Sequence, residues 1–274
     1  MSLFICPVCG ESLIRNEKEY LCPSGHRFDI ASEGYVHLLP ANRKHSKQPG
    51  DDRNMVRARN RFLSGGLYEP LRTALAGLIL SLAPESPAVL DSGCGEGYYT
   101  GGISAALSET GRVPRIAGID ISKEAVRLAS KRVAGAEFAV ASAYRLPLGD
   151  GSADIVLNCF SPLCIGEFGR VLRAGGYFIY VVPAPRHLWE LKCAVYDRPY
   201  ENERTNPDYE GFSREKTAMV EKRILLPDRQ TITDLFAMTP YFWKTPPGNA
   251  ARLDALDRLE TEASFDIHVY KKIN

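Results

Sequence analysis

The sequence predicts an α/β fold, a Rossmann-like and mostly parallel seven-stranded sheet, with a small zinc-ribbon-like domain at the N-terminus. Three observations point there. From residue 67 onward, short apolar runs alternate with helical stretches, the order that builds a parallel sheet through right-handed crossovers. The first of those runs ends in a glycine-rich turn, Asp91-Ser92-Gly93-Cys94-Gly95-Glu96-Gly97. Upstream lie two clusters of metal-ligand type, Cys6-Pro7-Val8-Cys9 and Cys22-Pro23-Ser24-Gly25-His26. The expected division is 1–40 for the ribbon, 41–66 for a basic linker and helix, and 67–274 for the α/β domain.

Composition sets the outer limits. The chain of 274 residues is 45% hydrophobic and 24% charged, which excludes a disordered or fibrous protein. Its longest apolar stretch, Leu71 to Ala83, is broken by Arg72, Thr73, Gly77 and Ser81. That falls short of the roughly 20 apolar residues a membrane span needs. No basic, then apolar, leader precedes Cys6, so the expected location is cytoplasmic.

In the ribbon, the two clusters read as C-x2-C, twelve residues, then C-x3-H. Each pair sits on a tight turn favoured by Pro and Gly, and two such pairs complete a tetrahedron of Cys6, Cys9, Cys22 and His26 around zinc. A redox CxxC would open a helix, whereas Cys9-Gly10-Glu11 leads into a turn. Four protein ligands leave no open position, so the zinc is expected to be structural. Between the clusters, Ser12–Ile14 and Glu19–Leu21 read as two short strands.

The net charge of +1 hides an asymmetry. Arg43, Lys44, Lys47, Arg53, Arg57, Arg59 and Arg61 face only Asp51 and Asp52 across the linker. From Asp52 to Leu63 the chain reads helical, and Arg53, Arg57 and Arg61 share one face at i, i+4 and i+8. Like charges at that spacing disfavour a helix unless something negative meets them. Arg43, Lys44, Lys47, Arg53, Arg57 and Arg61 are therefore candidate phosphate contacts, against the plainer reading of a solvated face.

The glycine turn is the most informative stretch. A dinucleotide site wants G-x-G-x-x-G, and counting from Gly93 and Gly95 that third position is the bulky Tyr98. The observed D-x-G-x-G-x-G instead resembles the first motif of class I S-adenosylmethionine-dependent methyltransferases. The remaining parts follow in order. Arg115–Asp120 is a second strand ending in an acid suited to ribose hydroxyls, Ser122 is a candidate cap for the helix Lys123–Val133, and Glu137–Ser142 is a third strand. Asp154–Cys159 is the fourth, Gly166–Leu172 a helix stopped by Ala174-Gly175-Gly176, and Tyr177–Val182 the fifth. Ligands bind at the C-terminal edges of such strands, where Asp91, Gly93, Gly95, Gly97, Tyr98, Asp120, Ile121, Ala141 and Ser142 all fall.

The fourth strand helps by exclusion. Exocyclic-amine DNA methyltransferases carry an Asp/Asn-Pro-Pro-Tyr/Phe box there, and this chain has Asn158-Cys159-Phe160-Ser161. Cytosine-C5 enzymes need a nucleophilic Cys often directly after Pro, and Pro162-Leu163-Cys164 misses that by one residue.

Read end to end, the chain resembles the bacterial RlmA family, which methylates N1 of a guanine in 23S ribosomal RNA and includes a subgroup associated with tylosin resistance. The resemblance rests on Cys6-Pro-x-Cys9, Cys22-Pro-x-x-His26-x-Phe28-Asp29, Glu33-Gly34-Tyr35-Val36-x-Leu38-Leu39 and Pro49-Gly50-Asp51. It continues through Glu96-Gly97-Tyr98-Tyr99-Thr100, Arg145-Leu146-Pro147, Pro185-Arg186-His187-Leu188, Met238-Thr239-Pro240 and Phe265-Asp266-Ile267-His268. It implies S-adenosylmethionine and structural zinc as cofactors, a 23S rRNA hairpin as substrate, and a homodimer whose N-terminal modules grip RNA, with neither DNA nor membrane as partner. It also implies cofactor contacts at Tyr68 and His187. Asn158, Arg186 and Phe160 are candidates to position the guanine, Phe160 by stacking on it; no residue matches a general-base signature. The competing readings are a small-molecule methyltransferase acting on a quinone or metabolite with a purely structural ribbon, and a non-catalytic RNA-binding protein on the same fold. The intact Asp91, Gly93, Gly95, Gly97 and Asp120 argue against the latter.

Overall fold

The computed structural model describes residues 2–40, 50–204 and 207–274. Arg43, Lys44 and Lys47 lie outside the described residues. The ribbon has three short antiparallel strands, β1 (Ile14–Arg15), β2 (Glu19–Leu21) and β3 (Arg27–Asp29), in the order β1-β2-β3. The third was not anticipated, because Arg27-Phe28-Asp29 is too short to show a period.

Among the described residues the main sheet has eight strands rather than the seven expected, in the order β10-β11-β9-β8-β5-β6-β7-β4. The additional one is β4 (Tyr35–His37), which pairs in parallel with β7 (Glu137–Val140). It covers what would otherwise be an open edge. The parallel body is β5 (Ala88–Ser92), β6 (Arg115–Asp120), β7, β8 (Ala153–Cys159) and β9 (Leu172–Pro183), with β10 (Phe212–Leu226) and β11 (Leu259–Lys272) closing the far side antiparallel. The Ala174-Gly175-Gly176 stop is a bulge inside β9: Ala153 pairs with Leu172 but Ile155 pairs with Tyr177, so four residues stand opposite one, three in excess.

Helices cover both faces. α1 (Arg53–Ser64), α2 (Glu69–Leu82), α3 (Tyr98–Glu109), α4 (Lys123–Arg132), α6 (Trp189–Val195) and α7 (Arg229–Ala237) contribute to a core with Val89, Ile155, Leu157, Ile179 and Phe265. The opposite face, under α5 (Ile165–Val171), packs Leu90, Val156, Phe178 and Tyr270 together with the ribbon's Leu3, Phe4, Leu13 and Tyr20. The ribbon is thus built into the second core. Phe4 and Leu148 form an isolated antiparallel bridge, Ile5 N–H donates to the Pro147 carbonyl at 2.8 Å, and Tyr20 Oη donates to Glu137 at 2.9 Å.

Asp52 caps α1, its carboxylate accepting from the N–H groups of Asn54 and Met55 at 2.7 and 2.9 Å. The like charges on this helix are met only in part from within the protein. Arg61 grips the buried Asp234 of α7 through Nε and Nη2 at 2.9 and 2.6 Å. Arg53 and Arg57 lie 3.6 and 3.8 Å from Glu124 of α4. Arg61 therefore staples α1 to α7, sharing the Asp234 carboxylate with Gln230, whose Nε2 donates to it at 2.9 Å.

Phe4 is fully buried and meets Tyr20 edge-on at 6.1 Å. Phe4→Ala should cost about 3–5 kcal/mol in urea denaturation of the zinc-loaded protein. Circular dichroism and tyrosine fluorescence should shift together; a ribbon that melts on its own would contradict a shared core.

Candidate active site and metal centre

The ligand atoms of Cys6, Cys9, Cys22 and His26 lie within 4.8 Å of one another. Cys9 and Cys22 sulfurs are 3.6 Å apart and the Cys22 sulfur is 3.3 Å from His26 Nδ1. The S···S distance is far too long for a disulfide and close to the roughly 3.7 Å edge of a zinc–sulfur tetrahedron. A Cys3His set of this geometry fits structural zinc.

The glycine turn stands at the C-terminal end of β5. Gly93 is at φ +82°, and a Cβ there would lie 2.2 Å from that of Ser161. Ser161 Oγ donates to the Ser92 carbonyl at 2.5 Å, clamping the turn after β8 onto the turn after β5. Gly97, at φ +79°, precedes α3 and lets that helix start press against Ala129 of α4.

Around this turn the carboxylates are specifically engaged. Asp120 accepts from the N–H of Gly95 at 3.0 Å and of Ser122 at 2.8 Å, which orients it at the end of β6. Asp91 is buried and accepts from Thr100 Oγ1 at 2.5 Å. Glu96 is buried, 3.5 Å from Arg132, with Oε2 lacking a partner among the described residues. Ile121 and Ser142 line a cavity of about 510 Å³ whose other wall is the ribbon turn at Cys6, Pro7 and Gly10. Ala141 N–H donates to the Asp120 carbonyl at 3.0 Å, placing the ends of β6 and β7 side by side. Open backbone over the glycine turn, an oriented acid at β6 and an apolar slot beyond it fit S-adenosylmethionine.

Tyr68 and His187 meet under this rim, Tyr68 Oη 3.4 Å from His187 Nε2 and Phe265 against both rings. Burial holds the imidazole neutral, its pKa lowered to about 3, and Nδ1 accepts from Ser264 N–H at 3.2 Å. The proton therefore sits on Nε2, and neither nitrogen is free to act as a base.

Several expected residues are placed differently. The Tyr98 ring turns back to α2, its hydroxyl donating to Glu69 at 3.0 Å with Arg72 and Arg132 over its faces, so only its backbone faces the crevice rim. The Ser122 hydroxyl does not cap α4; it donates to the Asp51 carbonyl at 3.0 Å. Asn158 points to the opposite sheet face, donating to Ser161 Oγ and the Pro162 carbonyl at 2.8 and 2.9 Å. It shapes the β8 turn, while its buried Oδ1 has no partner among the described residues. Arg186 is half-exposed, paired with Glu201 at 3.2 Å and stacked on Trp189. Phe160 remains at the rim: 46% exposed, at φ +56°, and tilted against Phe265 at 5.6 Å. A non-glycine residue held there is strained, which suits a functional position. Sequence reasoning missed the roles of Thr100 and Arg59: Thr100 was only the end of a motif, and Arg59 was one arginine in a basic run.

Burial pushes the Asp91 carboxyl from 3.8 up to about 7, the Thr100 bond opposing and Asp120 and Glu96 adding to the rise. The folded chain then holds a proton that the unfolded chain releases. This contribution to stability is full below pH 3.8 and is lost as pH climbs to about 7. Asp91→Asn should flatten that part of the ligand-free stability profile, measured by chemical denaturation at several pH values; an unchanged slope would exclude Asp91 as its source.

Comparison with known proteins finds relatives for both parts of the chain. Residues 4–47 match the family described as RlmA, N-terminal, and residues 90–180 the methyltransferase domain family. A Bacillus subtilis protein provisionally named a 23S rRNA (guanine-N(1)-)-methyltransferase is 31% identical, covering 99% of this chain and 98% of its own. The Streptomyces fradiae 23S rRNA (guanine(748)-N(1))-methyltransferase is 33% identical over 90% of this chain and 88% of its own. A chain from the Haloferax volcanii complex of the Trm112 activator with a provisional methyltransferase shares the fold, at TM-score 0.50 and 19% identity over 82% of this chain and 100% of its own. With both halves matched in one chain and the cofactor crevice intact, the protein belongs to the RlmA family of S-adenosylmethionine-dependent methyltransferases.

Proposed function

We propose that this enzyme transfers a methyl group from S-adenosylmethionine to N1 of a guanine in a 23S rRNA hairpin, working in the cytoplasm as a homodimer. The observation that carries this is the match to the Streptomyces fradiae guanine-N1 methyltransferase across ribbon, linker and catalytic domain together. A small-molecule enzyme would have no use for the ribbon at the crevice wall or for the exposed arginines of α1.

The cofactor supplies a sulfonium-bound methyl group, already strongly electrophilic. The chain's task is to bring the base in line and exclude water. Phe160 offers an exposed aromatic face for an extruded guanine, with Phe265 behind it. Asn158, through Ser161, fixes the turn that aims Phe160. Arg186 lies on the segment beyond β9, where guanidinium contact with RNA would compete with Glu201. Arg53 and Arg57 stay 67% and 52% exposed while Glu124 is already gripped by Arg127, leaving positive charge for phosphates. Modification of this hairpin would connect the enzyme to tylosin resistance, as in the resembling subgroup.

The test is methyl transfer from labelled S-adenosylmethionine to unmodified 23S rRNA, with the site mapped by reverse-transcriptase arrest. One strong stop at a guanine is expected; no incorporation by an enzyme that binds cofactor would overturn the rRNA reading. Arg53→Ala combined with Arg57→Ala should weaken RNA binding and reduce the log–log salt slope by about 1.5. An unchanged slope would place RNA elsewhere.

A further inference from the structure

Arg59 lies on α1 but projects toward the glycine turn, with 23% of its side chain exposed. Its Nη2 edge donates to Asp51, the residue preceding the α1 cap. Its Nη1 faces Gly95. A Cβ built on Gly95 would lie 3.8 Å from Nη1, and apart from Gly95 and its chain neighbours no other atom of the described residues comes within 4 Å. The open face of the turn, where a bound cofactor must pass, is therefore bounded by a guanidinium.

Asp120 is engaged with the Gly95 and Ser122 amides, and Glu96 has Arg132 3.5 Å away, its Oε2 without a partner among the described residues. Burial works against the Arg59 charge, while Asp51, Glu96 and Asp120 sustain it. The amino-acid tail of S-adenosylmethionine is a zwitterion. Its ammonium is suited to a turn rich in carboxylates, and its carboxylate needs a cation on the same side.

We propose that Arg59 binds the carboxylate of the cofactor's methionine tail through the Nη1 edge that faces Gly95, while Asp51 holds the Nη2 edge and fixes the guanidinium plane. Asp51 is itself anchored, its carbonyl accepting from Ser122 Oγ at 3.0 Å, and the neighbouring Gly50 is packed so tightly on Ile121 that a Cβ there would lie 2.7 Å from Ile121 Cγ2. The start of α1 is thereby fastened beside the slot expected for the adenosine, and its arginine reaches across to the other end of the ligand.

The test is calorimetric and does not depend on turnover. Zinc-loaded wild type, Arg59→Gln and Arg59→Lys are titrated with S-adenosylmethionine and with decarboxylated S-adenosylmethionine, which keeps the sulfonium and the amine. Arg59→Gln should weaken the full cofactor roughly 10- to 100-fold, the range for loss of a charge-assisted pair, and leave the decarboxylated one within about twofold. Arg59→Lys should fall between, since a point charge replaces a planar fork. Equal weakening of both ligands would make Arg59 a prop for the loop, and no change in either would remove it from the site; both outcomes overturn the proposal. Should Arg59→Gln fail to fold, the Lys variant reads the same ratio.

Discussion

Three carboxylates are concentrated at one end of this sheet, and the surrounding structure answers the cost of holding them there. Asp91 and Glu96 are buried, and Asp120 turns its oxygens onto backbone amides. Charges in such a place need partners or protons. Thr100, Arg132, Arg59 and the N–H groups of Gly95 and Ser122 are those partners, drawn from α1, α3, α4 and the turns between. The arrangement favours a ligand that brings positive charge. It also explains why the linker packs where it does, because Asp51 and Arg59 reach this cluster together.

The same economy joins the two modules. A ribbon of about forty residues has too little apolar surface to be stable alone, and metal supplies part of the deficit. Here the sheet supplies more. Phe4, Leu13 and Tyr20 enter the core under α5, and β4 carries the chain from the ribbon straight onto the sheet edge. Ribbon and catalytic domain meet at the cavity where Cys6, Pro7 and Gly10 face Ile121 and Ser142. Zinc binding and the shape of that cavity wall are therefore coupled through a few residues.

The strained turn after β8 shows how one clamp serves two ends of the site. Ser161 reaches the Ser92 carbonyl, Gly93 makes room for it, and Asn158 holds Ser161 from behind. Phe160 is then forced to a positive φ and out into the rim. The glycine turn and the exposed Phe160 ring are thus tied together by a single hydroxyl.

The amino-acid order alone determined the parts whose chemistry is local. Ligand spacing at Cys6, Cys9, Cys22 and His26, the glycine rhythm from Gly93 to Gly97, and the strand ending at Asp120 each depend on neighbours a few residues away, and each was legible. So was α1, because Asp52 caps its own helix. What only the tertiary structure decided were pairings across the chain. Arg61 meets Asp234, Tyr98 turns to Glu69, Asn158 faces Ser161 across the turn, and β4 joins β7. A carboxylate buried far along the sequence leaves no periodicity near its partner. Whether an arginine faces RNA, a cofactor or Asp234 is set by which helix packs against it, and that is a property of the assembled core.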